Sequence, residues 1–251
     1  MDLELAGKRA IVTGGSRGIG KAVARQLALE GALVGIAARD QGRIDDAVAE
    51  LSAGTGRSVV GRSCDTTDDA SVRAMVADLA DQLGGVDILV NAAAMPGGVV
   101  APPKLADITT DALWEEVNTK VMGYLRCARE AAPFMVAGGW GRIINISGLA
   151  ARQTGSTLGS IRNVAVAAMT KNLADELGPS GINVTVVHPG PTRTERMSDE
   201  TAARVTGNVI GRVVEADEIA YVVAFLASPK SAAVTGDAIA CGGGARGAIH
   251  Y

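Results

Sequence analysis

Short runs of β-branched and aliphatic residues recur along the chain, and helical-period segments lie between them. RAIVTG precedes KAVARQLALEG, ALVGIAA precedes QGRIDDAVAELSAG, and SVVGRSCD precedes DASVRAMVADLADQLGG. DILVNAA, GRIINISG, INVTVVHPG and AIACGGG read as four further strands, separated by TDALWEEVNTKVMGYLRCAREAAPFMVAGG, LGSIRNVAVAAMTKNLADELG and ADEIAYVVAFLAS. A strand that is apolar throughout has no face to offer water, so it needs cover on both sides, and the alternation with helices supplies that cover around a parallel sheet. The pattern predicts an α/β fold: a doubly wound parallel sheet of about seven strands flanked by helices on both faces. Ligands are expected beyond the carboxyl ends of the strands.

No linker or internal repeat divides the chain, so residues 1–251 are expected to form one domain. The least regular stretches, 94–108 and 190–212, both follow strands. Both are expected to overhang the ligand cleft, the second as a lid. Apolar runs fall far short of the roughly 18 residues that cross a bilayer, and MDLELAGKRAIVTGG lacks a basic segment followed by an apolar one, which predicts a cytoplasmic protein without a membrane partner. A net charge of −3 without a basic stripe argues against nucleic acid. Three widely spaced cysteines, two histidines, and the absence of CxxC and HExxH argue against a metal site or a disulfide framework.

The first strand runs into TGGSRGIG, residues 13–20. Gly14 permits a tight turn, Gly18 lets backbone approach a pyrophosphate, and Gly20 allows helix to pack on strand. Ser16, Arg17 and Ile19 complete a loop that opens a helix, whose first N–H groups point at phosphate. Glycines alone mark any turn; between a first strand and a first helix they indicate a dinucleotide.

Together with Cys64-Asp65, DILVNAA, NIS at 145–147, TKNLADELGPSGINV, HPG at 188–190 and VTGDAIACGGG, this loop makes the chain resemble the short-chain dehydrogenase/reductase family over almost its full length. The resemblance implies a single Rossmann-like domain, a nicotinamide cofactor, a small-molecule substrate and a homodimer or homotetramer. It implies that Asp65 binds the adenine amino group, that Asn91 supports the adenosine side of the cleft, and that Pro189, Gly190, Thr192 and Thr194 flank the nicotinamide. Where the family has Asn-Asn-Ala-Gly, this chain has Asn91, Ala92, Ala93 and Ala94.

The end of the second strand, IAARD, places Arg39 where an acidic residue would hold the ribose hydroxyls of NAD. With Arg17 in the glycine loop, two guanidinium groups suit a 2′-phosphate, so NADP(H) is favoured over NAD(H). The simpler reading is that Arg39 pairs with Asp40 on the surface.

The family works with an asparagine, a serine, a tyrosine and a lysine. A tyrosine donates or accepts the substrate proton, and a lysine on the nicotinamide ribose lowers its pKa from about 10. Asn118 matches the asparagine. Ser147 matches the serine, unless it is the first of a pair and Gly148 holds the working position. Counting back from TKNLADEL puts Asn163 at the lysine position, a ribose contact in place of Lys, and Gly159 at the tyrosine position, left vacant; residues 148–170 contain neither tyrosine nor lysine. Stand-ins for the acid are Arg152, Ser156, Ser160, Arg162 and His188, of which His188 has the most suitable unperturbed pKa and Arg162 can only orient or polarise an oxygen. Tyr124 and Tyr221 read as packing residues, and Tyr251 as a terminal residue within reach of a neighbouring subunit. The 159–177 helix, rich in small apolar residues, reads as buried on several sides. Arg193, Glu195, Arg196 and Asp199 read as a solvated face of the lid.

Two functions of different class follow. One is an atypical NADP(H)-dependent oxidoreductase acting on a carbonyl or alcohol through a non-standard proton relay. The other is a nucleotide-binding pseudoenzyme that scaffolds or senses. Non-redox chemistry on the same fold has no residue signature of its own.

Overall fold

The structure is a computed structural model that describes residues 1–95, 102–195, 197–203, 205 and 207–245. Its strands are β1 (Arg9–Thr13), β2 (Leu33–Ala38), β3 (Val59–Ser63), β4 (Ile88–Asn91), β5 (Gly141–Ile146), β6 (Ile182–Pro189), β7 (Thr192–Arg193), β8 (Val214–Glu215) and β9 (Ala238–Cys241). Seven of them form one sheet in the order β3-β2-β1-β4-β5-β6-β9, parallel throughout. Strand order reverses between β1 and β4, and the cleft expected at that switch point lies beyond Thr13 and Asn91.

The helices are α1 (Gly18–Leu29), α2 (Gln41–Thr55), α3 (Asp69–Leu83), α4 (Thr110–Glu116), α5 (Gly123–Gly138), α6 (Thr157–Leu177), α7 (Asp199–Ala203) and α8 (Ala216–Ala227). Their starts are written in the sequence: the side chains of Asp40, Asp68, Thr109 and Ser156 accept N–H bonds at the first turns of α2, α3, α4 and α6. Glu215 and Glu218 form a reciprocal box at the start of α8. One core lies on each face of the sheet. On one side Val23, Leu27 and Ala28 of α1 meet Ile219, Val223 and Ala224 of α8 over Val12, Ile36 and Val90; on the other, Val72, Met75 and Leu79 of α3 meet Cys127, Ala131 and Met135 of α5 over Ile11, Leu89 and Ile143.

A π turn over Val117–Met122 joins α4 to α5. One expectation changes. The helix α6 is not enclosed on several sides within the chain: Gly159, Asn163, Val166, Thr170 and Ala174 form one buried stripe, while Ile161 and Val164 are about half exposed. Between residues 190 and 212, β7 pairs with β8 from outside the segment and α7 follows. Residues 96–101, Arg196 and the tail with Tyr251 lie outside the described residues.

Candidate functional site

The glycine loop sits at the carboxyl end of β1. Gly14 has φ +69°, and a Cβ there would stand 2.7 Å from the carbonyl oxygen of Ala92, so no larger residue fits between β1 and β4. Gly18, at φ +56°, opens α1, and its N–H donates to both carboxylate oxygens of Glu195 at 3.0 and 3.2 Å. The Thr194 methyl packs where a Gly18 side chain would begin, at 3.4 Å. The N-terminus of α1 therefore already receives an anion, and the segment after β6 reaches across to it. Glu195, grouped by sequence with a solvated face, instead contacts the loop; Arg193 does pair outward, with Asp199 at 2.6 Å and Glu215 at 3.2 Å.

Arg39 is exposed at the end of β2 and makes no ion pair among the described residues. Asp40 caps α2 through the Arg43 N–H and lies 3.4 Å from the Arg43 guanidinium, so it is not the partner of Arg39. Ser16 lines a hollow of about 160 Å³ with Lys21, Arg43, Asp46, Ala47 and Glu50, and Arg17 is exposed beside it in the chain. Asp65 accepts from the Thr67 N–H and hydroxyl, and these bonds hold its carboxyl below the usual carboxylate range. Ile19 is half-buried behind the loop, and Gly20 is buried against Gly14.

Asn91 is fully buried and does not face the cleft. Its amide donates to Asn145 Oδ1 at 3.0 Å, and Asn145 donates to Thr170 Oγ1 at 3.0 Å, so the carboxyl ends of β4 and β5 are tied to α6 through side chains. Any support Asn91 gives the cleft passes through this chain of bonds. Gly190 lies against Gly242, its N–H on the carbonyl of Cys241, and Thr192 Oγ1 donates to the Gly190 carbonyl at 2.9 Å after Pro189 ends β6.

Sequence reasoning expected Asn118 beside Ser147 and Asn163. The structure brings Lys120 there instead. The π turn widens the helix between α4 and α5, so Lys120 points inward, where it is buried; its Nζ donates to the Ser147 carbonyl at 2.9 Å and to Asn163 Oδ1 at 3.0 Å. Asn118 accepts from Arg126 through its backbone carbonyl and lines an outer hollow of about 560 Å³ with Trp114, Glu115, Val117 and Met122. The signal that could have found Lys120 is its setting, a charged residue within the otherwise helical-period segment VNTKVMGYL. Burial and the nearby Arg162 push the Lys120 ammonium down to about 7, with Glu116 opposing. Arg162 is bonded to Glu116, which holds it as an orienting cation.

Ser147 turns inward: its hydroxyl donates to the Asn163 carbonyl at 3.2 Å. Gly148 is the position that faces the Asn163 amide, since a Cβ there would stand 3.0 Å from Nδ2. Gly159 is buried, and a Cβ on it would lie 2.8 Å from the hydroxyl of Ser156, which accepts the Gly159 N–H. Ser156 therefore stands where a side chain at 159 would begin. The other stand-ins are engaged: Arg152 donates to the Ala238 carbonyl, Ser160 to the Gln153 carbonyl, and His188 is buried in β6. Tyr124 is a packing residue as expected, its hydroxyl donating to the Ile146 carbonyl and its pKa raised by burial. Tyr221 is 57% exposed, so its expected packing role is corrected: the α8 face that packs on α1 leaves it outside.

A family model described as enoyl-(acyl carrier protein) reductase matches residues 14–246. The chain belongs to the short-chain dehydrogenase/reductase family. Within it, a putative ketoacyl reductase of the granaticin polyketide synthase of Streptomyces violaceoruber is 38% identical over 260 residues, covering 93% of this chain and 92% of the relative. A dehydrogenase/reductase from Sinorhizobium meliloti 1021 superposes with a TM-score of 0.88 at 35% identity, covering 98% and 97% of the two chains. A short-chain dehydrogenase from Burkholderia cenocepacia J2315 in complex with NADP superposes with a TM-score of 0.85 at 34% identity, covering 96% and 98%. No described helix is long and apolar enough to cross a membrane.

Proposed function

We propose that this chain is an NADP(H)-dependent oxidoreductase of a carbonyl or alcohol substrate whose proton relay does without a tyrosine. The observation that carries the nucleotide half is the Gly18 N–H, already bonded to a carboxylate at the mouth of a loop too tight for side chains. A phosphate in place of Glu195 fits that donor, and the exposed Arg39 at the end of β2 fits a 2′-phosphate. The NADP-bound Burkholderia relative supports the same choice of cofactor.

When bound, the nicotinamide would donate or accept the hydride. Gly14, Ser16, Arg17, Gly18, Ile19 and Gly20 would hold the phosphates. Asp65 would take the adenine amino group, Asn163 a hydroxyl of the nicotinamide-side ribose, and Pro189, Gly190, Thr192 and Thr194 would flank the ring under a lid formed by 190–212. Ser156 is the hydroxyl closest to the vacated tyrosine position; its oxygen accepts from Gly159 and leaves its own proton for a water-borne relay. The exposed Ile161 and Val164 support a homodimer or homotetramer through α6, and the free thiols of buried Cys64 and half-buried Cys241, pushed up to about 11, suit a cytoplasmic protein.

A nucleotide-binding pseudoenzyme is favoured by one observation: positions 148 and 159 are both glycine and contribute no side chain, and the Ser147 hydroxyl is bonded into α6. The deciding experiment is turnover of NADPH with β-ketoacyl thioesters, the substrates that the granaticin relative's name suggests, followed by the same assay on Ser156→Ala. Turnover reduced at least tenfold by Ser156→Ala supports the oxidoreductase. Tight binding without turnover on any carbonyl supports the pseudoenzyme.

A further inference from the structure

Lys120 is buried among groups that do not neutralise it. Among the described residues its two hydrogen bonds go to a carbonyl and an amide oxygen, while Glu116, the carboxylate that acts on it electrostatically, is bonded to Arg162. A buried ammonium without a carboxylate destabilises the fold, so an aliphatic side chain would serve packing better. What the ammonium does that an aliphatic cannot is fix the Asn163 amide. While it is protonated, below about pH 7, the lysine ammonium has only donors, so the amide oxygen faces it and the amide nitrogen faces the other way. That other way is Gly148: a Cβ there would stand 3.0 Å from Asn163 Nδ2 and 3.9 Å from Oδ1. Glycine at 148 leaves space in front of the nitrogen, and Asn163 itself is held from behind by the Ser147 hydroxyl on its carbonyl.

We propose that Lys120 is a positioning residue that orients Asn163, so that Nδ2 is presented past Gly148 as a hydrogen-bond donor to an oxygen of the nicotinamide-side ribose. A cation delivered from the π turn thereby sets the amide that stands at position 163. The inference rests on the nucleotide-binding reading. It extends that reading to a residue outside the glycine loop and to a division of labour between Lys120, Gly148 and Asn163.

The test measures binding of two probes by calorimetry: NADPH, and adenosine 2′,5′-bisphosphate, which lacks the nicotinamide-side ribose. Lys120→Met should weaken NADPH about tenfold, the worth of one amide hydrogen bond, and leave the bisphosphate unchanged. Lys120→Gln, which can still donate to the amide oxygen, should recover most of the loss. Asn163→Asp keeps an oxygen on Lys120, improves its electrostatics and removes the donor, so it should lose NADPH affinity about as much as Lys120→Met while melting no lower than the parent. Should Lys120→Met fail to fold, Asn163→Asp alone carries the test. Unchanged NADPH affinity in Asn163→Asp, or equal losses for both probes in Lys120→Met, would overturn the proposal. Wild-type protein that binds the bisphosphate but not NADPH would overturn it while sparing the adenosine half of the site, and binding of neither probe would overturn the nucleotide reading as well.

Discussion

Lys120 Nζ lies 3.0 Å from Asn163 Oδ1, which joins the π turn before α5 to the buried stripe of α6 at the position where the family carries its lysine. Because the ammonium is buried beside Arg162, its pKa falls from 10.5 to about 7 on folding. Between those values the unfolded chain holds the proton and the folded chain does not, so Lys120 makes stability rise with pH across that window, by at most ~1.4 kcal/mol per pH unit. Below about pH 7 both states are protonated and the contribution is flat. Denaturation of wild type and Lys120→Met from pH 6 to 10 should show the wild type gaining on the variant as pH rises; parallel curves would contradict the placement of the ammonium.

Arg39 is exposed and without an ion pair among the described residues at the end of β2, while Asp40 serves the α2 cap. Arg39→Ala should weaken NADPH by roughly 10–100-fold, as expected for loss of a charge-assisted bond to phosphate, and leave NADH within about twofold. Equal losses for both nucleotides would move the 2′-phosphate away from this corner.

Glu195 accepts the Gly18 N–H that a phosphate would use. Removing a competing carboxylate from a helix N-terminus is worth about 0.3–1 kcal/mol, so Glu195→Gln should tighten NADPH by roughly two- to fivefold. Stopped-flow measurement should place the gain in the association step, since the carboxylate must leave before phosphate arrives. A weaker complex would mean that Glu195 helps hold the lid over bound nucleotide.

Gly159 does not readily accept a tyrosine, since a Cβ would stand 2.8 Å from Ser156 Oγ, the cap of α6. Gly159→Tyr should lower stability by ~1–3 kcal/mol through overpacking and loss of the cap geometry. Adding Ser156→Gly should return part of it. Thermal melts of the two variants decide this, and an undisturbed melt for Gly159→Tyr would show the position to be open.

The parallel sheet and the glycine loop were legible in the sequence because each rests on local signals: apolar runs alternating with helical-period segments, and glycines whose backbone demands them. The assignment of Gly159 and Asn163 to the family's tyrosine and lysine positions rests on counting back from TKNLADEL. Lys120 was not legible, because a π turn changes which residue of a helix faces inward, and helical periodicity assumes no such insertion. The family resemblance implies that Asn91 supports the cleft, yet its side chain is buried in the interior and donates to Asn145. Half-exposed Ile161 and Val164 show the limit of composition, which reports an apolar helix but not whether its cover comes from the same chain.

The most direct measurement is a fluorescence titration of the wild-type protein with NADPH and NADH. Saturable NADPH binding, at least about tenfold tighter than NADH, is expected from a glycine loop that accepts an anion and an exposed arginine at the end of β2. Absence of saturable binding by either nucleotide would contradict the account, however well the fold resembles its relatives.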